Sequence, residues 1–343
     1  MKYIRYIFWL FAMLVLLVWL AHHASPHAEQ STQAPEAVLL PPADYPEGFE
    51  EQLAAAPGIK ISLCSMESLP SELSWQKGSE APPVGSPEAI KGGTLRLSNA
   101  GPFPANFLAF GSPTPQFFHY NLFERIDIPM VWAHPSTGQE MAGLAEAWCV
   151  QGNSVFFRLN PNARYSNGRP VRARDFALGT LLRIKTGTSL TINELRIYGD
   201  EVVEAVLPAV GLEPALTVSR QLWPSEPGFY AEFSSNYAEH YAQRIPPTTG
   251  AYAIERVQRG RLIVLQKVPQ WWAAELPGFR YTHNPDRIEH HFLTDEAQVW
   301  EQFFAGRLEL IQTRNVTAWH SKPEGVPAAE DGRIILHSLR IDN

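Results

Sequence analysis

Cysteine is scarce in this chain: 343 residues carry two, Cys64 and Cys149. Two thiols so far apart in sequence give neither a zinc-type spacing nor a disulfide framework. They leave a single pairing, or two free thiols, both open. No His-Glu-x-x-His and no Gly-x-Ser-x-Gly occurs, so the helix-borne zinc hydrolase and the nucleophile-elbow hydrolase have no foothold. Charge is modest at 18%, with a net value of −7, which excludes a broad basic surface for nucleic acid. Cations are missing from one long stretch: after Arg5 the next Lys or Arg is Lys60.

A long membrane span is missing too. Lys2 and Arg5 precede an uncharged run, Tyr6 to Ala21. As a helix it would extend roughly 24 Å, short of the roughly 30 Å of a bilayer core. A signal peptide accounts for a run of this length. Neither Ala24 nor Ala28 follows a small-x-small pattern, because His22 and Pro26 occupy the outer position. A cleaved leader and an uncleaved anchor over residues 1–24 therefore both fit. The cation gap directs the N-terminus to the cytoplasm and the rest outward. Cys64 lies too far from the run to carry a lipid.

Proline is abundant, and ten of the 29 fall within residues 25–90. A segment so poor in periodic apolar residues buries too little to offset its ordering entropy. It reads as a tether with one short helix near Phe49 to Ala56. At 45% hydrophobic, the chain as a whole has the composition of a soluble globular protein, and its length of 343 residues suggests about two domains.

The richest stretch runs from Val155 to Ile184. Val155, Phe157 and Leu159 alternate with Phe156 and Arg158, as in a half-buried strand. Asn160-Pro161 ends it, and Asn167-Gly168 makes a tight turn. After Pro170, Ala177, Leu181 and Ile184 fall on one helical face. The motif "FFRLNPNARYSNGRPVRARDFALGTLLRI" resembles a signature of the large extracytoplasmic solute-binding proteins of ABC importers, the oligopeptide, dipeptide and nickel-chelate family. Tyr165, Asn167-Gly168, Pro170 and Ala173-x-Asp175 stand at matching places. The usual capping Thr is replaced by Arg172, which cannot accept a hydrogen bond from the first turn, while Asp175 keeps negative charge near the helix start.

Further stretches resemble the same family in order. Lys91-Gly92-Gly93-Thr94-Leu95 is similar to its first strand, and Gly101 to Phe107 to the loop after it. Gln116 to Arg125 is similar to an early helix, and Leu144 to Trp148 to "LA-E-s-W", with Trp148 as core. Pro135 to Gly138 forms a turn. Two strands fit Ile192 to Val206, with Asp200, Glu201 and Glu204 as solvated charges near their turn. Pro246 to Tyr252 resembles a second signature, followed by a hairpin around Arg259-Gly260, a strand over Ile288 to Phe292 and a helix over Glu296 to Phe304. Thr313 to Trp319 and "WWAAELPGFR" resemble the branch associated with microcin-C-type peptide uptake. His290 and His291 point to opposite faces of a strand, so they make no metal pair.

The resemblance implies an α/β fold: a type II periplasmic-binding-protein-like first lobe with an inserted subdomain, and an incomplete second lobe. The expected divisions are the first lobe at 91–118 and 245–292, the insert at 119–244, and the opening of the second lobe at 293–343. The implied role is to bind peptides or peptide-like solutes outside the cytoplasm and deliver them to an inner-membrane ABC permease, without cofactor, metal or enzymatic chemistry. A truncated, membrane-tethered interaction protein or a non-transporting remnant is the alternative. Ligand would lie against Phe103 and Asn106, in the loop after the first strand, and near Asn315 and Trp319. The Asn amides suit a peptide backbone, and the aromatic rings offer apolar area. The plainer roles are a packed loop aromatic and a turn Asn for the first pair, and a helix cap and a core Trp for the second.

Overall fold

Part of the expected tether is built into the fold. The computed structural model describes residues 45–78, 81–99, 102–107, 126–231 and 237–311. Helix α1 (Phe49–Ala54) buries Phe49 and Leu53. Strand β1 (Lys60–Cys64) then runs parallel to residues 194–198, and β2 (Gln76–Lys77) pairs with Ala147 and Trp148. The short helix falls where expected, but composition hid the strands, because the buried hydrophobic residues of the segment are few: Phe49, Leu53, Ile59 and Ile61. The tether reading of 25–90 is corrected there.

Strand β3 (Thr94–Asn99) follows. The helical expectation at Gln116 to Arg125 lies outside the described residues. Strands β4 (Val131–Ala133) and β5 (Glu140–Ala142) form a hairpin, its turn closing through Gly138 at φ 71°. Strand β6 (Ala145–Gln151) pairs antiparallel with β7 (Ser154–Leu159). Trp148 is buried, as expected, and its indole donates to Glu140 at 2.7 Å.

The turn after β7 uses Gly168 at φ 86°, a left-handed conformation that suits glycine. Helix α2 (Ala173–Lys185) begins without a side-chain cap from Arg172. Instead the Arg172 N–H donates to Asp175 Oδ2 at 2.9 Å, so Asp175 supplies half of a capping box. Strands β8 (Glu194–Tyr198) and β9 (Val202–Val206) are antiparallel neighbours. Glu204 is not solvated: only 2% of it is exposed. It accepts from Ser154 Oγ at 2.6 Å, Tyr198 Oη at 2.7 Å and Arg196 Nη1 at 3.1 Å. The register explains the correction, since Arg196 sits directly opposite Glu204 on the next strand.

Short helices α3 (Pro214–Ser219) and α4 (Tyr237–Tyr241) precede the hairpin of β10 (Tyr252–Gln258) and β11 (Leu262–Lys267). Strand β12 (Arg287–Phe292) and helix α5 (Glu296–Phe304) follow, the helix capped by Asp295 accepting from Ala297 N.

These strands make a six-stranded sheet, β1-β8-β9-β7-β6-β2, a four-stranded sheet, β10-β11-β12-β3, and the β4–β5 ribbon. Helix α2 covers one face of the larger sheet with Phe176, Ala177, Leu178 and Leu181, against Val155, Phe157, Leu195 and Val203. Cys149, Phe156, Tyr198 and Val202 form a smaller cluster under Leu69, Leu73 and Trp75. Residues up to 311, expected to open a second lobe, lie on the smaller sheet. Leu310 bridges Leu97 in parallel, and Glu309 pairs with Arg96 at 2.6 Å.

Both cysteines are free. Cys64 on β1 and Cys149 on β6 are four strand steps apart, roughly 19 Å at about 4.8 Å per step and far beyond disulfide reach. Thiol titration in denaturant without reductant should therefore find both thiols. Their loss, restored by reductant, would contradict this arrangement.

Candidate functional site

Strands β3 and β12 are parallel, and their last residues, Asn99 and Phe292, are direct partners. Both carboxyl ends therefore open on the same edge of the sheet, where α/β folds gather ligand-binding loops. The loop at 102–107 sits there. The Phe103 ring lies 4.7 Å from that of Phe292, and Pro104 and Phe107 are buried. The Phe107 N–H donates to Ala242 O at 2.8 Å, and the Gln243 amide donates to Ala105 O. Asn106 and Phe103 are each half-buried. On the same pair of strands the Asn99 amide meets His290 Nδ1 at 3.0 Å. The expected pair Phe103 and Asn106 thus shares one loop, fixed to β12 on one side and to the segment after α4 on the other. Asn315 and Trp319 lie outside the described residues.

The two strongest sequence motifs touch each other. Ser166 N donates to Thr248 O at 2.7 Å, and Thr248 N donates to Ser166 Oγ at 3.1 Å. Thr249 N and Oγ1 both donate to Asp127 Oδ1, at 2.8 and 3.0 Å. The indoles of Trp271 and Trp272 converge on Thr249 O, at 2.9 and 3.2 Å. Gly250 packs so closely that a Cβ would stand 2.6 Å from the Ile126 carbonyl carbon, which accounts for glycine at this place in the motif. Asp127 is half-buried, with its carboxyl turned in among Thr249 and the neighbouring chain. That burial pushes its carboxyl up to about 7, partly offset by the Thr249 hydrogen bonds. Sequence reasoning missed Asp127, since its partner Thr249 comes from a loop far along the chain, before β10, and no local pattern marks it.

Among the described residues no cluster of His, Cys, Asp or Glu is arranged to hold a metal ion, and no helix among them is long and apolar enough to cross a membrane.

A mixed α/β chain with this layout has the periplasmic-binding-protein-like fold. It is similar to AppA from Bacillus subtilis, an oligopeptide-binding protein solved in complex with a nonapeptide, with a TM-score of 0.57 and 14% identity over 68% of this chain and 46% of that one. It is also similar to the periplasmic EDTA-binding protein EppA, with a TM-score of 0.56 and 17% identity over 70% of this chain and 47% of that one. The model of the bacterial extracellular solute-binding proteins, family 5 Middle, matches residues 141–331, and the chain belongs to that family. In Escherichia coli K12, the uncharacterized protein YejA is 26% identical over 251 residues, 70% of this chain. The chain spans 40% of the length of that relative. The family and the fold neighbours are solute binders rather than enzymes.

Proposed function

We propose that this protein is the extracytoplasmic solute-binding component of an ABC importer, that it binds peptides or peptide-like solutes, and that it passes them to an inner-membrane permease. The observation that carries the proposal is the loop at 102–107, held at the shared carboxyl edge of the parallel β3–β12 pair. Phe103 offers a ring to side chains of any sequence, and Asn106 offers a donor and an acceptor to a peptide backbone. Asn315 and Trp319 complete the proposed contacts. The nonapeptide bound by AppA favours an extended peptide as solute. The Thr313 to Trp319 and Trp271 to Arg280 motifs favour the microcin-C-type branch. In this proposal residues 91–118 and 245–292 form the first lobe, 119–244 the insert, and 1–24 the export leader or anchor, which would place the rest in the periplasm.

The test is ligand-induced thermal stabilisation against a peptide library. A peptide at a hundred times its Kd should stabilise the protein by about 2.7 kcal/mol. Phe103→Ala and Asn106→Ala should each weaken the best peptide about tenfold, the loss of one hydrogen-bond or ring contact, with far-UV circular dichroism unchanged. A library without a single shift, or unaltered affinity in both variants, would defeat the proposal.

A further inference from the structure

The segment that sequence composition presents as tether ends in a fastening. Tyr45 stacks on Phe49, with ring centroids 4.9 Å apart, and its hydroxyl donates to Asp175 Oδ1 at 2.7 Å. Asp175 is 1% exposed, and its other oxygen accepts from Tyr165 Oη at 3.0 Å and from Arg172 N. Phe49 and Leu53 are buried on the helix side, with Glu50 reaching Arg174 at 3.7 Å. Strand β1 is the edge of its sheet and its one parallel member. Without it the antiparallel strands β8-β9-β7-β6 still pair with one another. The segment 45–64 therefore lies on the module from outside, and its contacts break without dividing the remaining sheet.

We propose that residues 45–64 are a latch that comes away from the module as a unit, lengthening the tether, with the Tyr45–Asp175 bond as its catch. Release would add at most roughly 70 Å of reach. This use of the latch rests on residues 1–24 serving as an uncleaved anchor; the latch itself does not.

The catch has a direction with pH. The groups facing Asp175 are Tyr45, Tyr165, Glu226, which pairs with Arg169, and Arg172, which pairs with Asp200. Burial raises the Asp175 carboxyl to about 7, against the pull of its three hydrogen-bond donors. The Tyr45 hydroxyl is one of those donors, so the catch itself grips the ionised carboxylate more strongly than the neutral acid.

Trypsin reads the latch in the full chain. Lys60 is the first basic residue after Arg5, and its side chain is 71% exposed, but cleavage of an ordered edge strand requires local opening. Quantifying the Lys60–Ile61 bond by mass spectrometry should show it cut about fivefold faster in Tyr45→Phe, the effect of one lost hydrogen bond, and faster also in Leu53→Ala. Cleavage within 126–231 should stay unchanged. Hydrogen exchange in the β1–β8 ladder, relative to the β6–β7 ladder, should be faster in Tyr45→Phe than in the parent chain. Unchanged cleavage at Lys60 in both variants, or cleavage there rising only in step with that inside 126–231, would overturn the latch. Membrane fractionation of the full chain tests the leader separately. A soluble protein with intact latch behaviour would remove the tether reading and leave the latch standing.

Discussion

Gly179→Ala should destabilise the protein by about 3 kcal/mol and lower its Tm by about 6–10 °C. The usual expectation has the opposite sign, since replacing glycine by alanine inside a helix gains about 1 kcal/mol. Here a Cβ at position 179 would stand 2.0 Å from the carbonyl oxygen of Trp223. That oxygen is backbone and cannot swing aside. The same segment is tied to α2, because Ser225 N donates to Asp175 O at 3.0 Å. Relief therefore requires moving the strap at 223–225 away from the helix and breaking that bond. Urea unfolding of the variant decides the matter, and an unchanged or higher midpoint would show that the helix and this strap are not in such close contact.

Lowering the pH from 8 to 5 should make the protein more stable, by on the order of 3 kcal/mol for each of two carboxyls. Asp127 and Asp175 are both raised by burial to about 7, from an ordinary value of 3.8. The folded state therefore holds protons that the unfolded chain releases above about pH 4. The stability they contribute is full below that pH and is lost as pH rises through 7. Glu194 works in the other direction, lowered chiefly by its hydrogen bond to Arg196, but its share disappears only in stronger acid. Urea midpoints at pH 5, 6, 7 and 8 should fall steadily, and Asp127→Asn with Asp175→Asn should flatten the trend. Midpoints that rise with pH would contradict the burial of these two groups.

The elements legible in the sequence are those whose signal is local. The alternation from Val155 to Leu159, the Asn167-Gly168 turn, the helix at Glu296–Phe304 and the hairpin around Gly260 all appear where periodicity and turn residues place them. Strand β1 was illegible because its reason for being extended is a parallel partner at 194–198, and the short Ile61–Leu63 alternation is lost among the prolines on either side of it. Glu204 looked like surface for a similar reason: the charge that lets it be buried belongs to Arg196 on the adjacent strand. The start of α2 was half legible. Arg172 cannot cap, but the carboxylate of Asp175 receives the Arg172 amide and two tyrosine hydroxyls, and these last depend on the fold rather than the spacing. In the candidate site, the loop after β3 could be located from the strand before it, whereas its packing on Phe292 could not.

The pairing of β3 with β12 also sets an order of events. A chain made from its amino end finishes Thr94 to Asn99 long before Arg287 exists to receive it. Strands β6 to β9 come from neighbouring stretches and can join as soon as they emerge, so the larger sheet forms early, while β3 waits with Leu95 and Leu97 uncovered. Such distant pairings are slow to close and leave a strand open to the wrong neighbour. Arg96 and Ser98, interleaved with those leucines, are the kind of residue that discourages strand-to-strand association in the interval. The first strand of the small sheet is thus the last to be secured, since its partner is complete only at Phe292.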